Sequence, residues 1–290
     1  LVPSPDAQTP PDPRFGLLSV SRVVEQMEPH AHNGVMYETV CDPKVRLYEV
    51  DTGCPDPAPE PAEKQGDRTT SITKADPFAV YAVEQCLDGR TSQQTQNKLR
   101  RRLLRGERHV VEAAIYHGLA GASPSLRHAD TTVINNGDPL PLSVALGALE
   151  QRLALAGRTA TIHAPRWMAA LMDAEGLLHR QGPNLRTILG TPLAFGSAYT
   201  GDPPQGTTDE QAWLYATGPV TVRRSEVIEP ARLDQGGFNI RTNTPFVLAE
   251  RVYVVDWPCG TAAVPTTLPR VDVGIDLNSI LTQPPSTPES

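Results

Sequence analysis

Long apolar runs are missing from this sequence of 290 residues. No stretch approaches the roughly 20 consecutive apolar residues that a membrane-spanning helix needs. The first residues also lack the basic and then apolar pattern of a secretory signal. The sequence therefore predicts a protein that is made in the cytosol and has no membrane segment.

Cysteine is scarce, and no two cysteines form the Cys-x-x-Cys pattern of zinc ribbons and thioredoxin-type redox sites. The four cysteines are Cys41, Cys54, Cys86 and Cys259. Cytosolic proteins usually keep their thiols reduced, and a free cysteine behaves as a small buried hydrophobe. We therefore expect four reduced thiols in this chain.

Positive charge is also in short supply, because 33 acidic residues outnumber 26 basic ones and give a net charge of -7. Proteins that grip nucleic acid usually carry a strongly basic face or a pI above about 9, whereas the pI of this chain is about 5.5. We expect nearby nucleic acid to be repelled rather than bound.

Motifs for catalysis and cofactor binding are absent from the sequence, which has no Gly-x-Gly-x-x-Gly fingerprint, no P-loop and no nucleophile elbow. His163 follows a predicted strand, at a place where α/β folds often bind ligands. However, no acid, cysteine or second histidine is positioned by sequence to act with it, so a satisfied polar residue is favoured. His30 and His32 supply fewer ligands than a structural zinc site requires. We therefore predict no catalytic residue, no cofactor and no metal ligand.

Proline, in contrast, is abundant, at 29 of 290 residues, where its usual share is about 5%. Much of it lies in residues 1–13, 51–75 and 258–290. Proline opposes helix formation, and such polar segments have few apolar groups to bury. The pattern predicts an arm at each end of the chain and a long polar excursion between them, which is unusual inside a compact domain.

One very long helix is predicted over residues 91–118, where proline is absent and apolar residues recur at helical spacing. A capping box at Thr91-Ser92-Gln93-Gln94 marks its start, and Gly118 marks its end. Its apolar stripe consists of Leu99, Leu103, Gly106, Val110 and Ala114, with Leu104, Val111 and Ile115 beside it.

The first half of this helix carries six basic side chains, which are Lys98, Arg100, Arg101, Arg102, Arg105 and Arg108. Such a run could contact nucleic acid. The acidic balance of the whole chain instead favours a solvated helix face that pairs with acidic neighbours.

Short helices and strands alternate after residue 140. Leucines at helical spacing predict a helix over residues 142–153. A second short helix is predicted to have one face formed by Trp167, Ala170, Leu171 and Ala174. The best predicted strand, rich in Val, Phe and Tyr, covers residues 244–257.

The two arms and the long excursion therefore contribute little to one compact hydrophobic core. The arms and the long excursion need another surface to cover them, and symmetric self-association is the common case. The expected partner is another copy of this chain.

The order of these features resembles the major capsid proteins of tailed bacteriophages, which share the Hong Kong 97-type fold with encapsulin shells. The resemblance is strongest to capsid proteins of phages that infect actinobacteria, and it runs from about Phe15 to Cys259. It rests on motifs whose order and spacing together are specific. In chain order these are Asp76-Pro77-Phe78-Ala79-Val80-Tyr81-Ala82 leading to Cys86, the long helix with Glu107, Val111, Glu112 and Ala114, Ile162-His163-Ala164-Pro165-Arg166, Leu189-Gly190-Thr191-Pro192, Ala216-Thr217-Gly218-Pro219-Val220 and Val247-Leu248-Ala249-Glu250-Arg251.

The resemblance implies an α+β subunit with named parts. They are an N-terminal arm over residues 1–41, an extended loop over 42–80, a peripheral domain over 81–139 with its spine helix at 91–118, an axial domain over 140–218, further peripheral strands over 219–259 and a C-terminal arm over 260–290.

The same resemblance implies a structural protein rather than an enzyme. Copies of it would assemble into hexamers and pentamers of an icosahedral head that encloses double-stranded DNA without sequence-specific binding. Scaffold, portal and cement proteins would be its partners, and it would be assembled in the host cytoplasm and reside in the virion. Two alternatives stay open, an encapsulin-type compartment shell and an unrelated α/β enzyme. The proline-rich arms and the long loop favour the two shell proteins, because an enzyme gains little from such segments.

Some relatives join subunits covalently through a lysine of the extended loop and an asparagine elsewhere, assisted by a glutamate. The loop lysines here are Lys44, Lys64 and Lys74. No partner motif matches Asn239 or Asn243, so no crosslink is predicted.

Overall fold

The computed structural model describes residues 14–41, 71–84, 92–155, 157, 159–228, 238–239, 244–245 and 247–281. These residues form four α-helices, α1 (Leu17–Val20), α2 (Ser92–His117), α3 (Leu142–Leu155) and α4 (Met168–Ala174). They also form strands β1 (Arg22–Val24), β2 (Val35–Thr39), β3 (Ser71–Ala75), β4 (Pro77–Glu84), β5 (Thr132–Val133), β6 (Thr161–Pro165), β7 (His179–Gln181), β8 (Asn184–Arg186), β9 (Leu193–Gly196), β10 (Gln211–Thr217), β11 (Thr221–Arg224), β12 (Phe238–Asn239), β13 (Thr244–Pro245), β14 (Val247–Asp256) and β15 (Thr261–Pro269). The predicted α+β class is confirmed.

The first sheet has the strand order β1-β11-β14-β4. Strand β14 is antiparallel to both of its neighbours, while β1 joins β11 in parallel. The last four residues of β14 are all buried, because α2 packs on one face of the strand and the segment around Met27 and Ala31 packs on the other. This strand agrees with the one predicted over residues 244–257.

Helix α2, the spine helix, crosses the first sheet and agrees with the helix predicted over residues 91–118. Leu99, Leu103, Val111 and Ile115 are buried in the core that the helix shares with the sheet. The helix ends because Gly118 adopts a left-handed backbone conformation with φ of +72°, which glycine accepts readily. The proposed capping residue Thr91 lies outside the described residues.

The second sheet has the order β5-β15-β10-β6-β9 and is buried on both faces. One face, with Ile162, Leu214 and Val264, packs against helices α3 and α4. The opposite face, with Trp213 and Tyr215, joins the core of the spine helix. Strands that are covered on both sides are buried at consecutive residues instead of at every second one, as β6 and β10 are.

Two short connections between the sheets lie next to each other, one from β10 to β11 and one from β14 to β15. The connections touch, since a Cβ atom added to Gly218 would lie 2.8 Å from Pro258. Only glycine allows this approach. The two connections between the sheets are therefore packed against each other at Gly218 and Pro258.

The C-terminal arm predicted over residues 260–290 begins too early. Thr261–Pro269 is strand β15, which pairs with β10 on one side and with β5 on the other. Its residues are mainly threonine, alanine and proline, which give a weak strand signal in sequence.

The predicted buried face of the second short helix is also wrong. Met168 and Met172 of α4 are buried, whereas Ala170, Leu171 and Ala174 are exposed. The two methionines are one helical turn apart, and their long side chains reach the core above the second sheet.

Within the range predicted as an N-terminal arm, residues 14–41 pack on their own subunit. Helix α1 buries Leu17 and Leu18, and β1 is a strand of the first sheet. Strand β2 pairs with β3 from the extended-loop range to form a two-stranded hairpin. Residues 1–13 and 42–70 lie outside the described residues.

Candidate assembly surfaces

His163, which the sequence offers as a candidate ligand-binding residue, lies in β6 and is fully buried. Its Nδ1 lies 3.3 Å from the Tyr199 hydroxyl, and its Nε2 lies 2.9 Å from Thr217 Oγ1. Burial lowers the pKa of His163 to about 3, so the ring is neutral near pH 7. Both ring nitrogens have structural partners, which agrees with the interpretation as a satisfied polar residue.

His30 and His32 lie in a single 3-10 turn, Pro29–Asn33. In the part of the chain that the structure describes, no three His, Cys, Asp or Glu side chains gather in a way that could hold a metal ion. None of the helices built from the described residues combines the length and the apolar character that crossing a bilayer requires.

A buried ion-pair network fastens the spine helix to the first sheet. Glu107 of the helix is 4% exposed and accepts hydrogen bonds from Arg251 at 3.0 Å and from Arg224 at 3.2 Å. Arg224 also binds Glu25 of the N-terminal segment, and this hydrogen bond lowers the pKa of Glu25. The network therefore joins four separate segments of the chain, which are the N-terminal segment, α2, β11 and β14.

Glu112, one turn further along the spine helix, joins the N-terminal segment to the second sheet. Its carboxylate accepts the backbone N–H of Leu17 at 3.0 Å and that of Ser197 at 2.6 Å. The Ser197 hydroxyl donates a further hydrogen bond at 2.8 Å. Burial raises the pKa of Glu112, while the hydrogen bonds from Ser197 and Leu17 oppose this rise. These polar groups hold the fold together, and each is committed to a structural contact.

The hairpin of β2 and β3 presents an exposed surface of a different kind. Its inner residues, including Ala75, pack on the body, and the Tyr37 hydroxyl donates a 2.6 Å hydrogen bond to Asp256. Its outer face carries Met36 and Ile72, which are 72% and 67% exposed. We call the side chains Met36, Glu38, Val40, Ile72 and Lys74 the outer face of the hairpin. Met36 lies opposite Lys74, and Ile72 lies opposite Glu38, so apolar and charged side chains share this face.

A second exposed apolar site lies in the turn between β8 and β9. Ile188 and Leu189 are each 75% exposed. The turn is held by a 2.6 Å hydrogen bond from Arg186 to the Gly190 carbonyl, and Gly190 has a φ of +89°. The turn therefore presents two large apolar side chains on a fixed backbone.

The basic side of the spine helix faces away from the core. Arg101, Arg102 and Arg105 are exposed, and Lys98 forms an ion pair with Glu84 at 2.8 Å. The Lys98 pair agrees with the interpretation of a solvated face that pairs with acidic neighbours.

The expectation of four reduced thiols is wrong, because Cys41 and Cys259 form a disulfide. Cys41 follows β2, and Cys259 lies in the turn between β14 and β15. The two residues are 218 positions apart in sequence, and such a pairing cannot be deduced from spacing alone. Cys54 and Cys86 lie outside the described residues.

Sequence reasoning missed both exposed apolar sites as well. Ile188 and Leu189 stand in what reads as a broken strand, Ile72 lies between Ser71 and Thr73, and Met36 lies between Val35 and Tyr37. The only available signal was a large apolar side chain next to turn residues or on the polar side of a strand.

Comparison with solved structures shows a fold that is similar to that of capsid chains. The chain is similar to the capsid of a native GTA particle, with 12% identity, a TM-score of 0.52, and coverage of 90% of this chain and 95% of that chain. It is similar to the capsid of an empty GTA particle, with 13% identity, a TM-score of 0.51, and coverage of 90% and 99%. It is also similar to a chain from Mycobacterium phage Adephagia, with 14% identity, a TM-score of 0.50, and coverage of 89% and 92%.

The chain has a capsid fold. The predicted resemblance to tailed-phage major capsid proteins of the Hong Kong 97-type is thereby confirmed at the level of the fold, and the match extends over most of the chain. No family model matches the sequence, and no curated protein matches it.

Proposed function

We propose that this chain is the major capsid protein of a tailed phage and assembles into the hexamers and pentamers of an icosahedral head. The observation that carries the proposal is the capsid fold, which covers about 90% of the chain. The role is structural, and the head encloses double-stranded DNA without reading its sequence. The protein is assembled in the host cytoplasm, where scaffold, portal and cement proteins take part, and it resides in the virion.

The two exposed apolar sites support self-association. The outer face of the hairpin combines Met36 from the range predicted as the N-terminal arm with Ile72 from the extended-loop range, whereas Ile188 and Leu189 belong to the predicted axial domain. They lie on different structural elements, so a contact between copies can join unlike surfaces. Such head-to-tail contacts generate closed rings when the rotation between copies closes.

An encapsulin-type shell is the second candidate, since the resemblance extends to shells that hold protein cargo. The contents of purified particles separate the two candidates. DNA that is protected from nuclease identifies a phage head, whereas a folded cargo enzyme in particles without DNA identifies a compartment.

Covalent crosslinking of subunits is not part of the proposal. Lys74 is paired with Asp76 at 2.9 Å, and Asn239 lies in the short strand β12. Lys44, Lys64 and Asn243 lie outside the described residues.

The proposal is tested by the assembly state of the purified chain. Sedimentation velocity and electron microscopy should detect capsomers or closed shells as the concentration is raised in the presence of scaffold and portal. A chain that stays monomeric throughout would overturn the proposal.

A surface variant tests where the contacts form. We expect the double substitution Met36→Ser and Ile72→Ser to leave the melting temperature of free subunits nearly unchanged, because both side chains are already exposed. Loss of two apolar contacts should reduce particle yield roughly tenfold or more. Val144→Ser, at an exposed site on α3, is the control and should assemble normally, since serine and valine have similar helix propensities. Equal yields from both variants would show that the outer face of the hairpin is not a contact.

A further inference from the structure

The disulfide lies at the end of the hairpin where Thr39 pairs with Ser71. Cys41 is two residues beyond the end of β2, and Cys259 sits in the turn where the chain passes from the first sheet to the second. The Thr39 hydroxyl lies 3.2 Å from the Cys41 sulfur and 3.9 Å from that of Cys259. The bond therefore links this end of the hairpin to the turn between β14 and β15, where the chain passes from the first sheet to the second.

Both sulfur-bearing residues are open to small molecules. They are half-buried and line an open groove of about 460 Å³ between the hairpin and the turn at residues 257–261. They also line a second hollow of about 260 Å³ on the other side of the same turn. The lining of the larger groove is polar and carries both signs of charge, since it includes Thr73, Lys74, His128 and Asp130, so a small polar thiol can enter it.

The hairpin remains attached without this bond. Tyr37 still donates its hydrogen bond to Asp256, which is also paired with Arg223. Ala75 is fully buried against the body, where it belongs to a small core with Met27 and Val254. Breaking the disulfide therefore frees the end of the hairpin that continues into the loop, while the hairpin itself stays in place.

We propose that Cys41 and Cys259 form a reversible redox clamp that exchanges with low-molecular-weight thiols and disulfides. In the reduced cytosol both residues are thiols. The end of the hairpin at Cys41 can then shift relative to Cys259 as subunits take up hexamer and pentamer positions. In the released particle a small disulfide RSSR oxidises the pair. One cysteine thiolate attacks RSSR and expels RS⁻, and the second cysteine thiolate then attacks the mixed disulfide and expels another RS⁻. The two cysteines are oxidised, and RSSR is reduced to two RSH.

The exchange chemistry belongs to the subunit, whereas the effect on the shell rests on the proposed function. The first experiment therefore uses the unassembled full-length chain with Cys54→Ser and Cys86→Ser, so that only the pair can react. The protein is equilibrated in mixtures of reduced and oxidised glutathione without denaturant, trapped with N-ethylmaleimide and weighed by mass spectrometry.

We expect two alkylated thiols in reduced glutathione and none in oxidised glutathione, with one reversible transition and no unfolding. A peptide that contains Cys41 joined to Cys259 should appear only after oxidation. A pair that stays oxidised until the protein is unfolded, or that never forms a disulfide, would overturn the redox clamp.

The second experiment compares shells in urea with and without reductant. Oxidised shells should dissociate at higher urea than reduced shells, whereas shells of the Cys41→Ser and Cys259→Ser variant should be indifferent to reductant. If the thiols exchange but no particles form, the proposed function fails and the exchange site stands. If particles form and their urea resistance does not depend on the redox state, the clamp has no role in the shell.

Discussion

Leu103 provides the most direct test of how the spine helix packs. It is 2% exposed and lies in the core shared with the first sheet, whereas its neighbour Leu104 is only half-buried. Truncating a buried leucine to alanine costs about 2–5 kcal/mol, from lost transfer free energy and from the cavity left behind. We expect Leu103→Ala to cost about 3 kcal/mol and Leu104→Ala about 1 kcal/mol.

The comparison is well matched, because both substitutions make the same chemical change on the same helix and change helix propensity equally. For a chain of this size, about 3 kcal/mol lowers the melting temperature by roughly 6–12 °C. Calorimetry of unassembled subunits measures the shift, and urea titration followed by circular dichroism provides an independent free energy of unfolding.

Equal effects at the two positions, or a larger effect at Leu104, would refute the assignment of the buried face. Charged variants sharpen the test. Leu103→Asp buries an unpaired charge and should prevent folding, whereas Val110→Asp should be milder because Val110 is only partly buried.

Three further predictions concern the buried polar groups and two glycines. The pKa of His163 is lowered from 6.5 to about 3, so the unfolded chain takes up the proton first and stability should fall below about pH 6.5, by ~2 kcal/mol at pH 5. The urea midpoint against pH should show this loss in the wild type and less of it in a His163→Asn variant. Arg251→Met takes one partner from the buried Glu107 carboxylate and should cost roughly 3–5 kcal/mol, with part recovered when Glu107→Gln is added. Gly16→Ala places a Cβ 2.3 Å from the carboxylate that holds the N-terminal segment and should lower the melting temperature, whereas Gly147→Ala meets no atom within 4 Å and should stabilise α3 by about 0.5–1 kcal/mol.

The elements predicted well are those with strong local patterns. Three signals within about 30 residues predict the spine helix, which are an apolar stripe, the absence of proline and the terminating Gly118. Strand β14 is similarly evident because its β-branched and aromatic residues cluster. Both signals come from residues that are close to each other in the chain, so a single sequence is enough to reveal them.

The features that were missed depend on partners far away in the chain. Strand β15 has small residues, and only its pairing with β10 identifies it as a strand. The disulfide joins Cys41 to Cys259, and the sequence around either cysteine does not indicate which cysteine it pairs with. The buried side of α4 is set by the position of the second sheet, so Met168 and Met172 were not distinguishable from their neighbours by periodicity over seven residues.

The position of β15 inside the second sheet affects the order in which the subunit can fold. This strand lies between β5 and β10, yet the ribosome makes it after every other strand of its sheet. While the chain is being made, β5 and β10 lack the strand that joins them, and the apolar groups of α3 stay partly uncovered. A chain that stops before residue 261 never completes this core and exposes apolar surface that chaperones and proteases recognise. Completion of the second sheet therefore waits for residues 261–269, and a chain that ends before them cannot complete the fold.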